Sequence, residues 1–343
     1  MIKQETVYEM RLVSALEKVF LDERPVYRPE CMKLTALKGE TVSFQAACTC
    51  TSFMKNRVKV RIESPISDRI HVRKVENVPA GRVCGPIVDD NYLKTESGLY
   101  PDLLRELVDG EVDIFPQKWR SIWIDIEVTK AGLYPVTVIL EKDGETLARA
   151  ATEVTIYDAV LPKQKMMHTE WFYLDCLADY YHVPVFSEEH WEIITNYLKE
   201  YVKRGCNMIL TPLFTPALDT AVGIERTTTQ LLDVRVENGN YSFGFDRVKK
   251  WIDLCQSCGI EYFEICHLFS QWGAKYAPKV MAVVNGKEEQ IFGWHTPAVG
   301  EYTKFLHSLL PQLTEKLREW GIDKVTYFHL SDEPREEHLE SYR

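Results

Sequence analysis

Residues 187–212 read SEEHWEIITNYLKEYVKRGCNMILTP, and this stretch decides the fold of the second half of the chain. Ser187 has the side chain of a helix N-cap, and Glu188 and Glu189 fall in the first turn, where carboxylates meet the positive end of the helix dipole. Trp191, Ile194, Leu198, Tyr201 and Val202 recur at helical spacing and form one apolar stripe. Gly205 stands where a left-handed residue closes a helix, and residues 207–212 make a short apolar strand. The same order returns twice. Val248, Trp251, Ile252 and Cys255 stop at Gly259 before a strand at 261–267. Tyr302, Phe305, Leu306, Leu309, Leu313, Leu317 and Trp320 stop at Gly321 before a strand at 324–330. A first strand is expected at 166–171.

Strands alternating with helices imply a parallel sheet, either open and doubly wound or closed as a (β/α)8 TIM-like barrel. The segments expected as βα loops, 172–186, 213–243 and 268–298, are long and carry polar and aromatic residues, which favours the barrel. No glycine-rich turn follows the first strand and no Walker pattern occurs, which argues against a nucleotide-binding sheet. Only four strands are read where a barrel has eight, so the expectation is a barrel cut short after its fourth βα unit.

Working outward, residues 30–160 change to a period of two. Thr41–Ala46, Arg57–Ile62, Ser121–Val128, Tyr134–Leu140 and Ala151–Tyr157 alternate, and Lys142-Asp143-Gly144 is a hairpin signal between the last two. Short strands at this spacing predict an N-terminal β-sandwich over 1–162, closed by Leu161-Pro162, with the barrel over 163–343. Residues 89–110 break the alternation and are expected to form a long ordered loop.

The 343 residues are 45% hydrophobic and 27% charged, an ordinary globular composition large enough for two domains. A net charge of −10 without any Lys/Arg run excludes a nucleic-acid binder. No window approaches a membrane span, and Met1–Phe20 mixes Lys3, Glu5, Glu9, Arg11 and Glu17 among its apolar residues, unlike a signal peptide. The nine scattered cysteines fit reduced thiols, so a cytoplasmic location is expected. Cys255 and Cys258 lie in a helix without a second ligand pair, and neither a metal nor a cofactor is expected.

The fourth strand ends in Ser331-Asp332-Glu333-Pro334. Alternation puts Phe328 and Leu330 under the outer helices and Tyr327, His329, Ser331 and Glu333 on the inner face. Pro334 stops the strand, so Glu333 is an acid delivered to the C-terminal mouth, where barrels place their chemistry. Asp332 reaches the same site only if the chain turns there. Two carboxylates in one pocket push their pKa values apart, leaving one ionised and the other a proton donor. The competing reading makes Ser331 or Asp332 the cap of a following helix with Pro334 in its first turn.

With that element the chain resembles glycoside hydrolase family 123, which includes exo-acting β-N-acetylgalactosaminidases, and the related DUF4091 proteins. The resemblance runs through Gly39–Gln45, Tyr100-Pro101-Asp102, Gly132–Pro135, Glu170-Trp171-Phe172, Gly205-Cys206-Asn207, Thr211-Pro212, His267–Phe269, Gln271–Gly273 and Phe292–Trp294. It implies a retaining, substrate-assisted exo-hexosaminidase acting on a glycan or glycoconjugate. In that chemistry Glu333 is the general acid and then base, and Asp332 orients the 2-acetamido group whose carbonyl oxygen attacks C1. Trp171, Trp272 and Trp294 are candidate sugar platforms, His267 a candidate hydroxyl partner, Asp175 a further substrate contact and His329 a support for Glu333. Each aromatic is equally expected in a core. Two other readings stay open: a glycosidase with Glu333 as acid/base and its nucleophile on a later strand, and a non-catalytic carbohydrate-binding or inactive fragment.

Overall fold

The structure is a computed structural model that describes residues 6–26, 33–81, 83, 85, 91–217, 224–270, 273–333 and 335–342. It divides into two compact units, Met1–Lys163 and Gln164–Arg343.

Among its described residues the first unit holds ten strands in chain order: β1 (Tyr8–Ser14), β2 (Lys33–Leu37), β3 (Thr41–Cys50), β4 (Asn56–Glu63), β5 (Ile70–Ala80), β6 (Gly98–Glu106), β7 (Glu111–Ile114), β8 (Arg120–Glu127), β9 (Gly132–Lys142) and β10 (Glu145–Tyr157). They form two five-stranded sheets, ordered β1-β3-β8-β5-β6 and β2-β10-β9-β4-β7. Alternation decides what they bury. Phe44, Ala46, Ile122, Ile124 and Ile126 of one sheet share a core with Val136, Val138, Leu140, Val154 and Ile156 of the other. The β9–β10 turn places Asp143 and Gly144 at φ 50° and 84°, the left-handed pair that a two-residue hairpin requires. The loop expected over 89–110 is corrected in part: Gly98–Glu106 pairs with β5 as an edge strand. Its tyrosine, proline and paired leucines lack strict alternation because β6 is exposed on most of its length.

The second unit has a parallel sheet ordered β11 (Met208–Thr211), β14 (Tyr262–Ile265), β17 (Thr326–Phe328), extended on the β11 side by a parallel bridge from Thr169 to Met208. Between these run α1 (Leu174–Tyr181), α2 (Glu188–Lys203), α3 (Asp246–Cys258) and α4 (Glu301–Glu319). Ser187 caps α2 by accepting a hydrogen bond from the His190 backbone N–H at 3.2 Å. Gly259 closes α3 at φ 106°. Trp191, Ile194, Leu198, Val248, Trp251, Ile252, Phe305, Leu309 and Leu313 bury against β11 and β14 in one core.

A closed eight-stranded barrel is not what the described residues form: their parallel sheet is half of one, served by four helices. Two segments expected as loops carry hairpins instead, β12 (Asp233–Glu237) with β13 (Asn240–Gly244), and β15 (Val280–Val284) with β16 (Lys287–Phe292). Each turns on an Asn-Gly pair with positive φ, Asn238-Gly239 and Asn285-Gly286. Parallel pairing of β12 with β15 joins them into one four-stranded sheet. Phe328 and Leu330, expected under outer helices, are instead 38% and 52% exposed, on a strand that pairs on one side only among the described residues. No helix among the described residues is long and apolar enough to cross a membrane.

His190 illustrates how the unit satisfies a buried polar group. Its Nδ1 accepts from the Phe186 backbone N–H at 3.0 Å and its Nε2 lies 3.0 Å from the Leu174 carbonyl, a pattern that requires the neutral ring. Burial pushes its pKa below the ordinary value, partly opposed by the hydrogen bond to the Leu174 carbonyl. An unfolded histidine titrates near about 6.5, so below that pH the unfolded chain takes up more protons and the stabilising contribution of His190 declines. Chemical denaturation from neutral pH down to about 5 is expected to show a falling midpoint. His190→Ala, less stable at neutral pH, is expected to show a shallower fall.

Candidate active site

Three segments of the second unit deliver the site. Trp171 follows the bridge residue Thr169, Glu264 and His267 come from β14 and its continuation, and His329 and Asp332 from the end of β17. Pairing of β14 with β17 continues past the strands, with the Leu268 N–H donating to the His329 carbonyl at 3.1 Å and the Phe269 N–H to the Leu330 carbonyl at 3.0 Å. Glu264 faces Tyr327 in the parallel register, so its side chain shares a face with Tyr327 and, two residues on, His329.

Glu264 is 7% exposed, and one carboxylate oxygen serves two partners. It accepts from the Trp171 indole N–H at 3.3 Å and lies 2.7 Å from His329 Nδ1. That second contact assigns a proton to Nδ1 and leaves Nε2 as the other polar atom of the ring. The Trp171 ring stands edge-on to His267 at 5.6 Å and to His329 at 6.1 Å, and the two imidazoles lie side by side with centroids 3.7 Å apart. His267 is 2% exposed, and neither ring nitrogen has a hydrogen-bond partner among the described residues. Burial, and then the neighbouring His329, push its pKa down to about 4 against the opposing pull of Asp332 and Glu264. The ring is therefore neutral at physiological pH, a donor and an acceptor with nothing yet to bond. One carboxylate oxygen of Asp332 and one ring nitrogen of each histidine lie within 4.8 Å of one another.

Alternation down the strand does not survive to its end. Ser331 is buried and donates to the Ser270 carbonyl at 3.0 Å, so its hydroxyl is not the cap of a following helix. Glu333 has φ 44°, a left-handed conformation that a residue with a Cβ adopts at a cost of about 1 kcal/mol or more. Asp332 sits with the histidines, while Glu333 is exposed and 3.7 Å from Arg335. The chain leaves regular strand geometry at Glu333, and Asp332 lies within reach of the histidines. Pro334 and Trp272 lie outside the described residues.

Asp175 and Trp294 are placed elsewhere. Asp175, 4% exposed, is held by Arg226 at 2.7 and 3.1 Å through Nε and one terminal nitrogen, and the guanidinium lies 4.0 Å over the Tyr173 ring. Trp294 lines a recess with Arg226, Glu225, Lys279 and Gln290. Asp175 is therefore committed to a buried ion pair that ties α1 to the segment after β11. Sequence reading missed Glu264 and Arg226. An acid inside Tyr262-Phe263-Glu264-Ile265 is itself a signal, since an unpaired carboxylate is rarely buried in an apolar strand.

Titratable groups gathered at the carboxyl ends of parallel strands lie where a βα sheet places its ligands. Residues 171–343, just over half the chain, match the glycoside hydrolase 123 catalytic domain, and the chain belongs to that family. A family 123 glycoside hydrolase from Clostridium perfringens, whose structure describes glycolipid glycan hydrolysis, is similar in fold over 98% of this chain at 18% identity and a TM-score of 0.69. The chain spans 60% of that protein's length. A CARDB domain from Pyrococcus furiosus overlaps 44% of this chain and 94% of its own at 6% identity, with a TM-score of 0.22. A β-glucosidase from Listeria innocua overlaps 46% of this chain and 17% of its own at 11% identity, with a TM-score of 0.21. Likenesses that low carry no implication for this chain. No curated protein matches it.

Removing one partner of the buried Asp175–Arg226 pair leaves the other charge without compensation. Arg226→Met is expected to lower unfolding stability by about 3–5 kcal/mol in urea titrations, and adding Asp175→Asn to recover much of that loss. A substrate contact at Asp175 would instead lose activity with little change in stability.

Proposed function

We propose that the chain is the catalytic part of a retaining exo-β-N-acetylhexosaminidase acting on β-linked N-acetylgalactosamine or a close relative. The observation that carries this reading is a pair of adjacent carboxylates just past β17, with Asp332 beside two histidines and a left-handed turn at Glu333. Asp332 is turned into the histidine cluster and Glu333 is left open to solvent. Family membership and the glycan chemistry of the Clostridium perfringens relative support it. Parallel strands β11 and β14, each leading to a helix before the next strand of that sheet, support the βα architecture on which this chemistry is read.

In this scheme Glu333 starts protonated and gives its proton to the glycosidic oxygen as the bond to C1 breaks. The 2-acetamido carbonyl oxygen attacks C1 from the opposite face and forms an oxazolinium ion, so no protein nucleophile is needed. Asp332 accepts the acetamide N–H, orients the group and balances the positive charge of the ring that forms. Glu333, now a carboxylate, takes a proton from the water that attacks C1, and the product keeps its anomeric configuration. Trp171, held at its indole nitrogen by Glu264, offers an apolar face to the sugar ring.

Hydrolysis of chromogenic β-N-acetylgalactosaminide and β-N-acetylglucosaminide by the full chain tests this scheme. Glu333→Gln is expected to reduce kcat/KM by about 10²–10⁴, the usual range for general acid–base catalysis, with Asp332→Asn close behind. Equal turnover of glycosides lacking the acetamido group would move the nucleophile to another strand. Inactivity of the folded chain on a broad panel would leave a carbohydrate-binding role.

A further inference from the structure

We propose that His267, His329 and Asp332 form a binding site for a single divalent transition-metal ion of the zinc class. Each residue offers one ligand atom, and these atoms lie within 4.8 Å of one another. Zinc in a tetrahedral site takes nitrogen and oxygen donors at about 2.0–2.2 Å, so its ligand atoms stand about 3.4 Å apart. Closing the observed spacing asks for side-chain rotation only, since the backbones of β14 and β17 are already paired beside the site. The His267 imidazole, 3.7 Å from that of His329 and tilted by 34° against it, would turn until its lone pair converges with that of the open Nε2 of His329.

Two independent observations point to a ligand here. His267 is 2% exposed, yet neither ring nitrogen has a hydrogen-bond partner among the described residues. A buried polar group left this way is expected to be completed by something the chain binds. Behind His329, Glu264 lies 2.7 Å from Nδ1, which fixes the ring and leaves Nε2 for coordination. A carboxylate behind a histidine is the usual second layer of a metal site, where it sets the tautomer and raises the basicity of the coordinating nitrogen. Glu264 in turn accepts from Trp171, so the bracket is held from three segments of the chain. Two imidazoles and one carboxylate suit zinc, nickel or copper rather than calcium or magnesium, and they leave at least one coordination position open.

The ion would not assist the reaction proposed above. It draws on the Asp332 carboxylate that the acetamide N–H also uses, so metal and substrate would compete for that side chain. That consequence rests on the proposed reaction, whereas the site itself does not.

The test is uptake of cobalt and zinc by the full chain after treatment with a chelator, without substrate. One equivalent of Co²⁺ is expected, with the intense visible absorption of a low-coordinate site, and zinc is expected to displace it. His267→Gln and His329→Gln are each expected to weaken binding about a hundredfold or more, and Glu264→Gln about 10–100-fold, with unchanged circular dichroism. Dissociation constants no better than millimolar would overturn the site. So would cobalt uptake undiminished in the doubly substituted histidine variant. If either single variant fails to fold, Asp332→Asn, on a partly exposed side chain, reads the same loss. A chain that takes up no cobalt yet hydrolyses glycosides overturns the site alone, and one that binds cobalt but cleaves nothing overturns the reaction alone.

Discussion

The hydrogen bond between Glu264 and His329 is the contact on which the candidate site depends. It spans two parallel strands and uses a carboxylate almost wholly removed from water. Such a group is tolerated only when its oxygens are satisfied, and here two donors from different segments converge on one of them. The register is part of the condition. With Glu264 opposite Tyr327, the side chain of His329 falls on the same face, and a slip of one residue would turn it to the other side of the sheet. Trp171, His267 and Asp332 all take their positions against this pair.

The second constraint is the backbone at Glu333. A regular strand sends neighbouring residues to opposite faces, so two adjacent acids cannot serve one site without a break. The left-handed conformation supplies the break at the residue where the chemistry is expected. Its strain is offset by the ladder just upstream and by the Ser331 hydroxyl on the Ser270 carbonyl.

Much of this was legible in the sequence where a local rule acts alone. The Ser187 cap, the stripes of α2, α3 and α4, and the Gly259 stop are short-range features, and each lies where its residues imply. The Asp-Glu step was legible as an acid pair at a strand end, but not its orientation, because alternation says nothing about where it fails. The two hairpins of the second unit were overlooked although Asn238-Gly239 and Asn285-Gly286 announce them, since βα alternation around them suggested loops. The partnership of Glu264 with His329, and of Asp175 with Arg226, could not be read at all. Those pairs are separated by 65 and 51 residues, and only the folded sheet brings them together.

In the proposed reaction Asp332 and Glu333 act on a sugar through its own acetamido group. Calorimetric binding of an N-acetylgalactosamine-derived thiazoline, a neutral mimic of the oxazolinium ion, measures that most directly. The full chain is expected to bind it far more tightly than it binds N-acetylgalactosamine, and Asp332→Asn to abolish the difference. Equal affinity for thiazoline and free sugar in the folded wild-type protein would contradict the claim.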